Sequence, residues 1–329
     1  MKYIVYGTLM FSFLLFSCQK NNSEKIVLQE EEATVNERHC ASNEVLQEQL
    51  LADPGLAVRM QKIESVTQQI LRNPAAFRLM ADGSIEIPVH VNVLYRTAAE
   101  NISNAQIQSQ IDVLNEDYGG TNADKINIPT LFTGLFASDI RIKFTWDPAT
   151  GLTRKSTTKS SWRTNDDMKK SSKGGINPTS STTKLNIWVC NLSNSILGYA
   201  QFPGGSSATD GVVVDNNAFG RGAYSLFTTF NKGRTATHEV GHWLNLRHIW
   251  GDATCGSDLV GDTPQHNAAN YGCPSYPHLS TCTGTPVEMT MNYMDYSDDA
   301  CMYMFTAGQK NRMLATFAAG GGRNSFAQP

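Results

Sequence analysis

Residues 238–248 read HEVGHWLNLRH, which places three of the chain's seven histidines within eleven residues and a glutamate beside the first. Residues four apart on a helix share a face, so the spacing predicts that His238 and His242 present imidazole nitrogens to one metal ion, with Glu239 alongside. A catalytic zinc takes three protein ligands and keeps one position open, so a third ligand is needed. His248 can supply it only if the helix stops after His242, because six further helical residues would carry it out of line. Asn245 is where the chain can turn, since Asn tolerates the left-handed conformation better than any residue except glycine. HExxH alone is equally well read as two histidines and a glutamate on a solvated helix face. The third histidine at this spacing favours the metal.

The surroundings narrow the class. A chain of 329 residues allows one large domain, or a medium domain with appendages. A formal net charge of -3 with 17% charged residues leaves no electrostatic footprint for nucleic acid. The start, MKYIVYGTLMFSFLLFSC, has one lysine, an apolar run and a small residue before Cys18, which is a secretory signal too short for a permanent membrane helix. LFSC resembles the lipobox of bacterial lipoproteins, making Cys18 a candidate lipid anchor; the alternative is a plain signal peptide with an incidental cysteine. Either way the mature protein is exported, as an outer-membrane or cell-surface lipoprotein or as a secreted enzyme, and disulfides are permitted.

Residues 19–36 are polar and acidic and read as a tether. The segment 40–71 has helix-spaced apolar residues broken at Asp53, Pro54 and Gly55, which predicts a small helical hairpin. Strands are expected at 85–95, 140–146, 185–192 and 210–219, with a short edge strand in GYAQFP, and a helix capped by Ser103. Residues 153–183 read as a long surface loop. The tract from Gly251 to Cys301 is rich in Gly, Pro, Asp and Cys and needs something other than periodic structure to fix it. A last helix is expected within TAGQKNRMLATF.

With Asn245 in the place of glycine, HExxHxxNxxH is similar to the HExxHxxGxxH signature of metzincin metallopeptidases. HEVGHWLNLRHIWGD, the cysteine-rich tract and NYMDYSDDACMYMFTAGQ together resemble the pappalysin family, including its bacterial members. The left-handed φ at Asn costs on the order of 1 kcal/mol relative to Gly, which a disulfide-braced domain tolerates. The resemblance implies an α+β fold: a metzincin catalytic domain with a mixed twisted sheet, an active-site helix and an irregular disulfide-braced C-terminal subdomain, preceded by a small helical propeptide. The expected boundaries are 1–18 for the signal and lipobox, 19–80 for tether and propeptide, and 81–329 for the catalytic domain. It further implies that Met294 forms a Met-turn beneath the metal and that Tyr296 hydrogen-bonds the oxyanion. The expected activity is a zinc endopeptidase in which Glu239 takes a proton from water and passes it to the leaving amine.

Beyond Cys18, the remaining six of the seven cysteines divide between Cys40, Cys190 in an apolar strand, and four in the irregular tract. Four cysteines allow three pairings, and zinc-ribbon chemistry competes, although no CxxC pair is present. The resemblance implies Cys255 with Cys282 and Cys273 with Cys301. Asp258, Asp262 and Thr263 in GDATCGSDLVGDTP suggest a structural calcium site, against turn-forming aspartates with no ion. Cys40 is either incidental or a cysteine switch whose thiolate occupies the open zinc position of a zymogen. Activation would then require cleavage near Arg72 or Arg78. The expected partners are protein or peptide substrates met by a monomer, with membrane attachment only through Cys18. The alternative reading is a catalytically idle surface binding module on the same fold, and the intact Glu239 argues against it.

Overall fold

The most apolar segments form the middle of one sheet. In the computed structural model, which describes residues 1, 35–73 and 84–327, strand β1 (Ile85–Tyr95) is central. The signal, the lipobox with Cys18, most of the tether and the expected cleavage region around Arg78 lie outside the described residues. Strand β1 pairs in parallel with β4 (Leu185–Cys190) on one side and, on the other, with β2 (Ile142–Thr145) and then β3 (Leu152–Ser156) along its length. Strand β6 (Val212–Asp215) continues the parallel sheet beyond β4, and β5 (Gly198–Ala200) closes that edge antiparallel to β6. Every residue of β4 and β6 is buried, as expected of parallel strands covered on both faces.

Helix α3 (Asn104–Gly119) begins where Ser103 accepts from the Gln106 N–H and ends at Gly120 with φ 59°. It packs against β2 and against α4 (Arg234–Trp243), the helix that carries HEVGH and lies along β5 and β6. Residues 251–301 contain no α-helix or strand and are held by the disulfides Cys255–Cys282 and Cys273–Cys301. Helix α5 (Ala307–Ala315) follows, with a capping box in which Thr306 and Gln309 satisfy each other's backbone N–H groups. The N-terminal hairpin is α1 (Ser42–Ala52) and α2 (Leu56–Arg72), and α2 rests on α5. The described residues from Val35 onward make one compact unit, so the hairpin belongs to the body of the molecule.

Two expectations are corrected. The strand expected over 140–146 is only Ile142–Thr145, because Arg141 takes φ 63° and cannot extend the ladder. The expected loop 153–183 opens with β3, whose LTRKS sequence has no apolar alternation because it lies half-buried at the sheet edge and takes its register from β1.

Candidate metal centre

Helix α4 stops where the spacing predicts. The Leu246 N–H reaches back to the Gly241 carbonyl at 2.9 Å and the Asn245 N–H to the His242 carbonyl at 2.9 Å, with Asn245 at φ 72°. These two bonds and a left-handed residue form a Schellman ending. The return swings His248 back, so that its Nε2 and that of His238 each lie 3.1 Å from Nε2 of His242. All three rings are at most 2% exposed.

The opposite nitrogens fix the chemistry. Nδ1 of His238 donates to the Tyr293 carbonyl (2.7 Å), that of His242 to the Leu246 carbonyl (2.8 Å), and that of His248 to the Asp252 carboxylate (2.5 Å). Each ring therefore directs toward the other two the Nε2 that these hydrogen bonds leave over. Burial first, and then the neighbouring histidines, holds His238 well below its ordinary pKa; the same causes bring His242 to about 3. Three imidazole Nε2 atoms converging in a buried site, each with its Nδ1 tied outward, are the donor set of a zinc ion. The residues fit the metal.

The N-terminal segment enters this site. The Cys40 Sγ and the three histidine nitrogens lie within 4.8 Å of one another. Backbone pairing carries the cysteine there: the Leu197 N–H donates to the His39 carbonyl (2.9 Å) and the Ala41 N–H to the Gly198 carbonyl (3.0 Å), a parallel bridge to β5. A Cβ at Gly198 would stand 2.9 Å from Glu239 Cγ, so only glycine lets the strand pass the glutamate this closely. Ser42 Oγ donates to Glu239 Oε2 at 2.9 Å and the Cys40 thiol does so at 3.3 Å. Burial raises Glu239 to about 8, partly offset by those hydrogen bonds, and raises the Cys40 thiol well above its usual value. The Tyr296 hydroxyl donates to the Cys40 carbonyl at 2.9 Å. Met294 is fully buried beneath the helix, its Sδ at 2.5 Å from where a Cβ on Gly241 would be, which explains the glycine inside HEVGH.

Of the calcium candidates, Asp258 and Thr263 converge, with the Val260 carbonyl 3.2 Å from Thr263 Oγ1, and Asp262 stands apart from them. Thr263 Oγ1 donates to both oxygens of Asp258, at 3.0 and 2.9 Å, while Asp262 turns away to accept from Thr306 Oγ1 and the Gly308 N–H, both at 2.7 Å, at the start of α5. Asp262 serves as a helix N-terminal acceptor there.

Several residues at the site were not singled out in the sequence. Asp252 lies four positions after His248, a spacing that carries a signal once a metal-binding histidine is suspected. Arg38, two residues before Cys40, is 2% exposed; its NH2 nitrogen pairs with Asp299 at 2.6 Å, NH1 donates to Thr235, and the guanidinium lies 5.1 Å over the Phe230 ring. The other Asp299 oxygen accepts the N–H groups of Lys232 (2.8 Å) and Arg234 (3.2 Å). Nothing local in DYSDDAC distinguishes Asp299 from Asp298.

Comparison with known proteins agrees with this geometry. Residues 180–318 match the M43 peptidase family model described as pregnancy-associated plasma protein-A. An extracellular metalloprotease of Arthroderma benhamiae is 31% identical over 255 residues, covering 75% of this chain and 83% of the relative. Another, from Pyricularia oryzae, is 33% identical over 241 residues, covering 71% and 75%. Mature mirolysin of Tannerella forsythia, solved with a cleaved peptide, is 47% identical over 74% of this chain and 96% of its own, with TM-score 0.71. A promirolysin variant from the same organism is 42% identical over 88% and 97%, with TM-score 0.79.

Proposed function

This chain belongs to the pappalysin family of metzincin metallopeptidases and is a metalloendopeptidase; we propose that it is made latent, with Cys40 filling the fourth position of a zinc held by His238, His242 and His248. The observation that carries the reading is the arrangement of the three imidazoles, each with Nδ1 tied outward and Nε2 free toward the other two and toward the Cys40 sulfur. When bound, zinc supplies Lewis acidity, polarising a peptide carbonyl and lowering the pKa of water.

The rest is done by the chain. With the N-terminal segment gone, Glu239 loses the Ser42 and Cys40 donors and is free to take a proton from water and hand it to the leaving amine. Tyr296, whose hydroxyl holds the Cys40 carbonyl in the latent form, makes the same hydrogen bond to the substrate's carbonyl oxygen as it gains charge. Edge strand β5, now paired with residues 39–41, is left with backbone groups for an extended substrate. That substrate is a peptide, a reading supported by the cleaved peptide in the mirolysin complex. Asp299 faces the space that Arg38 fills, so a substrate carrying a basic side chain near the scissile bond takes the place of that arginine.

The propeptide ends by residue 80, and cleavage between α2 and β1 releases the hairpin. The relatives are extracellular, and no helix among the described residues is long and apolar enough to cross a membrane. Export with a lipid on Cys18 would make the same cleavage free the catalytic unit from its anchor. The test is cleavage-site profiling on a peptide library before and after propeptide removal, with and without chelator. Chelator-sensitive cleavage next to basic residues, appearing on processing, is expected. A processed chain without zinc, or without chelator-sensitive cleavage, contradicts the reading and points to a binding module.

A further inference from the structure

The turn that brings His248 to the metal depends on a residue more than sixty positions away. Asn245 sits at φ 72°, and its side-chain Nδ2 is buried without a hydrogen-bond partner, so its own amide does not brace the turn through that donor. The brace comes from α5. Arg312, 1% exposed, donates from Nε to the Asn245 carbonyl at 2.8 Å. Its remaining nitrogens grip both oxygens of Glu64 on α2, at 2.9 and 2.6 Å. Arg323, also buried, donates to the Trp243 carbonyl at 3.1 Å and pairs with Asp210 at 2.6 Å. Thus the carbonyls at the end of α4, where the helix is most negative, are met by guanidinium groups from the C-terminal segment.

We infer that Arg312 is a positioning residue of the metal centre: by holding the Asn245 carbonyl it keeps the left-handed turn closed and His248 Nε2 aligned with the other two histidines. Glu64 pre-sets the guanidinium in the latent chain, so the hairpin grips the same arginine that braces the metal turn. This rests on the reading of the three histidines as the zinc ligands. A turn braced only by two backbone bonds and a strained asparagine would open more often, and the metal would leave through that opening.

The test uses the full chain and compares Arg312→Gln, Asn245→Gly and the double variant. The zinc-release rate into a chromogenic chelator, the thermal midpoint and kcat after processing are measured for each. Arg312→Gln is expected to release zinc at least about tenfold faster than wild type, as for other groups that orient metal ligands. Asn245→Gly alone should stay within about twofold, because glycine adopts this φ without strain. In the double variant the unstrained glycine turn should bring zinc release back to within about threefold of wild type, even where the thermal midpoint stays low. A merely structural arginine would lower the midpoint with zinc release unchanged, or would show no rescue by glycine; either overturns the inference. Should Arg312→Gln not accumulate in folded form, the double variant decides: recovery of a folded, zinc-binding chain upholds it, and no recovery overturns it. A wild-type chain that binds no zinc would instead remove the reading beneath it.

Discussion

The metal-bearing segment 234–248 and the hairpin segment 38–72 meet at Thr235 and Glu239 and are built on different principles. The first takes all its ligands from one short stretch: two histidines one helical turn apart, a Schellman ending and a return, with every residue of α4 buried, the rings set by the Tyr293 and Leu246 carbonyls and by Asp252, and the turn braced from α5 by Arg312. The second is a cover with Leu51 and Val58 largely exposed, and everything that attaches it is long-range: Ala41 and Val45 enter the core, Ala41 pairs with β5, Cys40 and Ser42 reach Glu239, Arg38 reaches Asp299 and Glu64 reaches Arg312. A site whose ligands lie in one short stretch keeps them when its cover leaves, whereas a cover joined to the body only by long-range contacts can be removed once the chain is cut behind it. That difference is what a latent enzyme requires.

The comparison breaks first at Glu239. Glu239→Gln in the processed enzyme should lower kcat about 10²- to 10⁴-fold while zinc content stays at one per chain, measured by peptide hydrolysis and metal analysis. Loss of zinc together with activity would place the glutamate among the ligands. Next comes the pocket shared by propeptide and substrate. Asp299→Asn should reduce kcat/KM for peptides with an arginine near the scissile bond at least about tenfold and leave apolar peptides little changed, since a charged pairing is lost from a buried site. An equal loss on both peptide classes would assign Asp299 to the scaffold.

The hairpin's own contacts should show smaller effects. Cys40→Ala is expected to give the uncleaved chain measurable activity, on the order of a few per cent of the processed enzyme, because the backbone pairing with β5 and the Arg38 contact remain. Silence equal to wild type would show that the cysteine is incidental. Glu64→Gln should be the mildest, speeding hairpin cleavage only a few-fold in a timed proteolysis assay, since Gln keeps an acceptor for Arg312 and loses the charge of one partly exposed carboxylate, about 1 kcal/mol.

What the sequence made legible follows the same division. The helix, its end at Asn245 and the return of His248 could be read because they are consequences of short-range spacing and of one residue's tolerance for positive φ. The central strands could be read because burial on both faces leaves nearly continuous apolar runs. Strand β3 could not, since LTRKS acquires its conformation from β1 alone. Asp299, Arg312 and the role of Arg38 were also hidden. Their partners lie 261 residues away for Arg38 with Asp299 and 248 for Arg312 with Glu64, and no local pattern records such a pairing. Asp262 is the opposite case: an acidic loop suggested a cation, and the carboxylate is spent on capping α5.

The central claim is that one histidine triad holds the metal throughout, with Cys40 as its fourth partner in the latent chain only. X-ray absorption at the zinc edge, recorded on the intact chain and again after propeptide cleavage, tests it most directly. The intact chain should show about three nitrogens at ~2.0 Å and one sulfur at ~2.3 Å, and the processed enzyme the nitrogens without the sulfur. A spectrum lacking sulfur in the intact chain, or keeping it after cleavage, would contradict the account.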